Sequence, residues 1–181
     1  MPRPSKDEYY LNIAREVALR STCYRVRIGA VIVRNDQIIA TGYIGAPRKT
    51  RDCFEHKFCL RDQLKIPHGQ RYELCRSCHC EQNAIINSAR AGVSLLDGDM
   101  YIYGESMPSG EKIDTFPCFI CKKMIINAGL NRVICSTKKG EYKIFLVKDW
   151  VRDWRRQDIL DDRYQYGQAA KLRKHTKIRK K

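Results

Sequence analysis

Two short stretches carry side chains able to hold a metal and move a proton: Cys78-His79-Cys80-Glu81 and Pro117-Cys118-Phe119-Ile120-Cys121. An imidazole nitrogen from His79 with thiolates from Cys118 and Cys121 makes a ligand set suited to Zn2+. Three protein ligands leave a fourth position open for water, which separates a catalytic zinc from a closed structural one. Glu81, two residues past His79, then serves as the proton shuttle, taking a proton from that water and handing it to a leaving group. Cys78 and Cys80 flank the histidine and are expected to pack as small hydrophobes.

These groups need elements that bring them together. Pro117 suits a first helical position and Gly129 a stop, so the spacing predicts one helix over 118–128 with Cys118 and Cys121 on one face. A second helix is predicted over 79–90, with Ala84, Ile85 and Ala89 at apolar spacing and Gly92 as its stop. Two helix starts, each with a positive end, can converge on one metal and favour thiolates there.

Upstream, Ser5 and Glu8 fit a capping box, and Tyr10, Ile13, Ala14 and Val17 continue as a helix to about Leu19. Residues 28–34 and 37–41 read as strands of a hairpin turning at Asn35-Asp36. Further strands are expected over 100–103 and 132–136, the latter with Cys135 in the core, then a strand over 142–147 and a helix over 148–156. Strands alternating with helices imply an α/β fold whose sheet is covered on both faces, a three-layer α/β/α arrangement with a mixed central sheet, parallel toward its C-terminal side.

Composition sets outer limits. A chain of 181 residues with 43% apolar content is one ordinary domain. We assign that domain to residues 1–165 and a basic, flexible tail to 166–181. About half of the formal charge of +15 lies there, with seven Lys and Arg and no acid in the last eleven residues; the run reads as a solvated tail or as a nucleic-acid arm. No apolar run is long enough to span a bilayer, and the start lacks the apolar region of a signal peptide, so a cytoplasmic protein away from membranes is expected.

His79-Cys80-Glu81-Gln82-Asn83-Ala84 with Pro117-Cys118-x-x-Cys121 resembles the cytidine deaminase superfamily, whose zinc enzymes divide labour between ligands and shuttle in this way. Arg20-Ser21-Thr22-Cys23, the run from Ile28 to Val33, Thr41-Gly42-Tyr43-Ile44-Gly45-Ala46-Pro47 and Tyr72-Glu73-Leu74-Cys75-Arg76-Ser77 narrow the likeness to the deoxycytidylate (dCMP) deaminase family. The resemblance implies a cytidine deaminase-like fold and hydrolysis of dCMP to dUMP and ammonia. It further implies a homohexamer and regulation by dCTP, dTTP and Mg2+. Three features depart from the family pattern: Ile44 where an Asn is usual, Cys78 and Cys80 where apolar residues are usual, and a lengthened connection over 104–114, expected to form an exposed flap.

Nine cysteines without an export signal point to metal and free thiols, not to disulfides. Cys23, Cys53, Cys59 and Cys75 are either scattered free thiols or ligands of a second, structural zinc, with His56 able to replace one sulfur. Arg90, Arg27 and Arg25 are the cations nearest the motifs for a substrate or effector phosphate, each also readable as a surface arginine. Asn83 is a further candidate for binding substrate or effector; it sits off the Glu81 face and reads equally as a residue that caps or hydrogen-bonds locally. Two other functions fit the motifs: a tRNA or single-stranded DNA base deaminase, and a non-catalytic zinc-binding protein that handles nucleotides or accompanies DNA uptake.

Overall fold

The computed structural model describes residues 3–67 and 69–156. The 166–181 tail lies outside them.

The first helix, α1 (Lys6–Ala18), starts where the capping box places it: the Glu8 amide donates to Ser5 Oγ (3.2 Å) and the Ser5 amide to Glu8 Oε2 (2.8 Å). Strands β1 (Val26–Arg34) and β2 (Gln37–Tyr43) form the expected hairpin, with Asn35 and Asp36 both at positive φ as a tight two-residue turn demands. Next come two single-turn helices, α2 (Cys53–His56) and α3 (Leu60–Gln63), and a 3-10 turn over Tyr72–Leu74. Helix α4 (Cys80–Ala91), strand β3 (Asp99–Ser106), helix α5 (Phe119–Asn127), strands β4 (Arg132–Ser136) and β5 (Tyr142–Leu146) and helix α6 (Val147–Arg156) complete the order.

The strands form one sheet in the order β2-β1-β3-β4-β5. It is mixed, but its C-terminal side is not parallel throughout. Only β3 and β4 run parallel, joined through α5, whereas β5 returns antiparallel to β4. The cause is connection length: the Thr137 amide closes on the Glu141 carbonyl in a tight turn, and a parallel neighbour needs a crossover of about a dozen residues.

Both faces of the sheet are covered, and the strand period of two sorts the side chains. Ala30 and Ile32, Met100 and Ile102, and Val133 and Cys135 face one core with Cys80, Ala84, Ile125 and Trp150 from α4, α5 and α6. Val31 and Val33, Tyr101 and Tyr103, and Ile134 face the other with Tyr10, Leu11, Ala14 and Ala18 from α1. Gly42 decides how closely α4 seats: a Cβ there would stand 2.3 Å from the Ala84 nitrogen and 2.4 Å from the Cys80 oxygen. The Asn83 and Asn87 side-chain amides each donate at 2.7 Å to β2 carbonyls, those of Tyr43 and Thr41. A helix that carries His79 at its start is thereby fixed to the edge of the sheet.

The connection over 104–114 is more ordered than a flap. Its first residues extend β3 to Ser106, Glu105 bridges antiparallel to Lys112, and the Ser106 amide donates to the Glu111 carbonyl at 2.8 Å. Exposure is confined to residues 108–112 and to Asp114.

Candidate metal centre

His79 and Cys118 are not inside their helices. Each is the N-cap residue with extended backbone, at φ −69 and ψ 157 for His79 and φ −69 and ψ 170 for Cys118. Cys121 follows at the third helical position of α5, so the Cys-x-x-Cys pair spans the geometry that lets a cap and an N3 side chain meet. Pro117 thus precedes the cap instead of opening the helix, since the cap must be extended and a residue before it is already outside. The His79 amide is satisfied by Gln82 Oε1 at 2.8 Å.

The two helix starts converge. His79 Nδ1 lies 3.5 Å from Cys118 Sγ and 3.4 Å from Cys121 Sγ, and the three ligand atoms fall within 4.8 Å of one another. Among the described residues, no other group of three or more His, Cys, Asp or Glu side chains gathers so closely. The set fits Zn2+: one nitrogen and two sulfurs, largely shielded, with Nδ1 as the nitrogen that faces the thiols.

Charge in this cluster is already arranged for a cation. The Cys118 thiol is lowered, first by the hydrogen bond from Cys121 and then, against burial, by His79; Cys121 is raised in turn by Cys118 and by burial. Burial opposes a charged imidazole at His79, yet the Cys118 sulfur and the Glu81 carboxylate outweigh it and raise the group. Glu81 is itself buried, 6% exposed, and Cys80 Sγ donates to its Oε2 at 3.2 Å. Cys80, 1% exposed, is a core residue as expected, with burial first and Glu81 second pushing its thiol well up. Cys78 is only half-buried and belongs to a bridge with Gly45, because its backbone pairs with the loop after β2 instead of entering a helix.

Behind the ligands, Thr115 was not readable as functional from sequence. Its hydroxyl sits 3.1 Å from the carbonyls of Ile102 and Ser136 and its amide donates to Ser136, so it pins the segment leading to Pro117 and Cys118 onto β3 and β4. Tyr72 stacks edge-on to His79. Nothing in the order of residues marks Thr115, which acts through contacts with two strands distant in the chain, whereas Tyr72 opens the Tyr72–Ser77 run and lies seven residues before the histidine it touches.

The other candidates are placed elsewhere. Arg27 pairs with Glu105 at 3.5 Å, and Arg25 with Asp62 at the same distance. Arg90 is exposed in the last turn of α4, eleven residues or about 16 Å along the helix from His79. Asn83 is occupied in holding Tyr43. Ile44 is buried, its amide and carbonyl bonded to Ile28 and Thr22, so this side chain packs inward. Cys23 and Cys53 are buried and Cys59 and Cys75 half-buried. Burial foremost, then the neighbouring thiols, raises Cys53, while for Cys23 the Cys75 and Cys59 thiols add to the dominant burial. Cys23 thus feels two, and Cys53 all three, of the other thiols of the set, but among the described residues the four do not gather as the triad does. His56 is half-buried with its ring 6.0 Å from that of Phe58.

A family model described as the cytidine and deoxycytidylate deaminase zinc-binding region matches residues 4–137, which take in the whole triad and Glu81. The chain belongs to this family. It is 32% identical over 139 residues to the deoxycytidylate deaminase of Mycobacterium phage D29, covering 74% of this chain and 96% of that one. It is 33% identical over 135 residues to the deoxycytidylate deaminase of Schizosaccharomyces pombe, covering 75% of this chain but 38% of the relative's length. The dCMP deaminase of the cyanophage S-TIM5 in its apo form superposes with a TM-score of 0.52 at 26% identity, over 73% of this chain and 82% of that one. The five-stranded mixed sheet with flanking helices is therefore the architecture of this family. No helix among the described residues is long and apolar enough to cross a membrane.

Proposed function

We propose that this chain is a zinc-dependent cytosine nucleotide deaminase that converts dCMP and water to dUMP and ammonia. The observation that carries the reading is the gathering of His79 Nδ1, Cys118 Sγ and Cys121 Sγ within 4.8 Å, with a buried carboxylate two residues from the histidine. When bound there, zinc would supply a Lewis acid that makes water a nucleophile near neutral pH. Glu81 takes the proton released as that water adds to C4 of cytosine and delivers it to the departing amine. Cys80 holds one oxygen of Glu81 in place, leaving the other to work.

The choice of a deoxynucleotide rests on the phage D29 relative, which this chain matches over nearly that protein's whole length. Ammonia release from dCMP, CMP, deoxycytidine and tRNA tests it. Turnover of dCMP above the rest is expected. Activity on tRNA alone would make the chain a nucleic-acid deaminase, and zinc-loaded protein that releases no ammonia from any of them would make it a binding protein. The same reading includes assembly of copies of the chain into an oligomer, which light scattering on the purified protein checks.

We also propose that Cys23, Cys53, Cys59 and Cys75 close on a second, structural zinc. Its support is that Cys23 and Cys53 are both buried and that each resists ionisation, through burial first and then through the other thiols of the four, until a cation joins them. Because closing that shell requires the loop to move, this zinc should be held more weakly than the one at His79. Graded chelation of a preparation with two zinc per chain should remove it first, with activity persisting until the second metal leaves; a count of one would contradict the proposal.

A further inference from the structure

The ring of Tyr72 stands edge-on to the imidazole of His79, with centroids 4.8 Å apart and planes at 88°. Zinc-binding histidines are usually oriented by a hydrogen bond from the ring nitrogen that does not touch the metal. His79 turns Nδ1 toward the two sulfurs, and among the described residues none accepts a hydrogen bond from its Nε2. The imidazole can rotate about its side-chain bonds unless something blocks it. An aromatic edge in van der Waals contact does so, and with a preferred geometry.

Tyr72 is held in its turn by Arg61. The guanidinium carbon lies 4.8 Å from the centroid of the Tyr72 ring, while Nη2 donates to the carbonyls of Pro67 (3.0 Å) and Gln70 (2.7 Å). Arg61 is 5% exposed, its Nε has no partner, and among the described residues no carboxylate pairs with it. Burying a cation this way is costly, and two carbonyls and one aromatic face offset the cost only in part. What the arrangement achieves is mechanical. One side chain ties the carbonyls of Pro67 and Gln70 to itself and covers the Tyr72 ring that meets the metal ligand.

We propose that Arg61 and Tyr72 are positioning residues that hold the His79 imidazole in its metal-binding orientation, an aromatic clamp in place of a hydrogen-bonded one. The inference rests on His79 being a zinc ligand, but not on which cytosine compound is the substrate.

The test is the dissociation constant of the more tightly held zinc, that of the triad, measured on the full chain without substrate by competition with a chromophoric chelator. Tyr72→Leu removes the ring and should weaken zinc about tenfold, the lower end of what loss of an orienting partner costs a metal site. Tyr72→Phe keeps the ring and should stay within about twofold of the wild type on the same scale. Arg61→Lys should fall between them, because one ammonium cannot bond both carbonyls while lying flat on the ring. Should Tyr72→Leu fail to fold, as judged by melting of the zinc-free protein, Arg61→Lys against Tyr72→Phe carries the same contrast. Wild-type affinity in Tyr72→Leu, or in Arg61→Lys where that contrast is used, would overturn the proposal, as would a Tyr72→Phe as weak as Tyr72→Leu. A wild-type chain that binds no zinc at all would overturn the metal reading beneath it, whereas tight zinc with no dCMP turnover would leave the clamp standing.

Discussion

Two regions hold most of the thiols of this chain, and they are built differently. Cys118 and Cys121 stand on the first turn of a helix seated on the sheet, opposite a histidine on a second such helix, and their ligand atoms are within 4.8 Å. Cys53, Cys59 and Cys75 stand on single-turn helices and loops, with Cys23 facing them from the turn after α1, and they approach one another without gathering. Regular elements anchored by a buried core place side chains to a fraction of an ångström before any metal arrives. Short elements, whose own stability is marginal, leave that last step to the ligand.

The contrast can be broken at its strongest point first. Replacing His79 or Cys118 by Ala should remove the zinc of the helical site and with it all measurable ammonia release, while far-ultraviolet circular dichroism stays close to wild type. Retained zinc and turnover in either variant would show that the gathered triad is not the metal site. Next in size is the seating of α4. Gly42→Ala inserts a methyl group 2.3 Å from the Ala84 nitrogen, and backbone cannot yield as a flexible side chain would. We expect roughly 3 kcal/mol of lost stability in urea melts, the upper range for overpacking, together with weaker zinc at the triad. An unchanged midpoint would mean that α4 does not depend on this close approach.

In the loop, Cys53→Ser should lower the melting temperature by several degrees, as loss of about 1 to 2 kcal/mol would in a domain of this size. Deamination per zinc at the triad should persist. If activity vanished along with the loop zinc, the two regions would not be the independent units described. The smallest effect is expected at Cys80→Ala, which removes the sulfur donor to Glu81. A hydrogen bond worth about 1 kcal/mol predicts a kcat about fivefold lower with KM unchanged, and Cys80→Ser should restore most of it. A KM effect alone would place Cys80 outside the path of the proton.

Sequence and structure agree best where spacing itself encodes geometry. His-x-Glu and Pro-Cys-x-x-Cys fix which groups meet because a helix start repeats the same turn wherever it occurs. The period-two alternation in β1, β3 and β4 likewise separates Ile32, Ile102 and Val133 from Val31, Tyr101 and Ile134 on opposite faces. The hairpin at Asn35-Asp36 was legible for the same local reason. What could not be read is what depends on two distant segments meeting. The direction of β5 follows from a five-residue turn whose outcome needs β4 in place. Arg61 lies in a stretch without periodicity, and only the folding of that stretch lays its guanidinium over the Tyr72 ring. Ile44 reads in the sequence as a lost polar group, yet in the fold its side chain is part of the interior.

In the proposed reaction Glu81 moves the proton while His79, Cys118 and Cys121 hold the metal. Glu81→Gln keeps the shape of the side chain and abolishes its basicity, so ammonia release from dCMP should be measured on that variant beside its zinc content. Full zinc at the triad is expected, with kcat lowered by roughly a hundredfold to ten-thousandfold. Wild-type turnover in Glu81→Gln with the metal in place would contradict it.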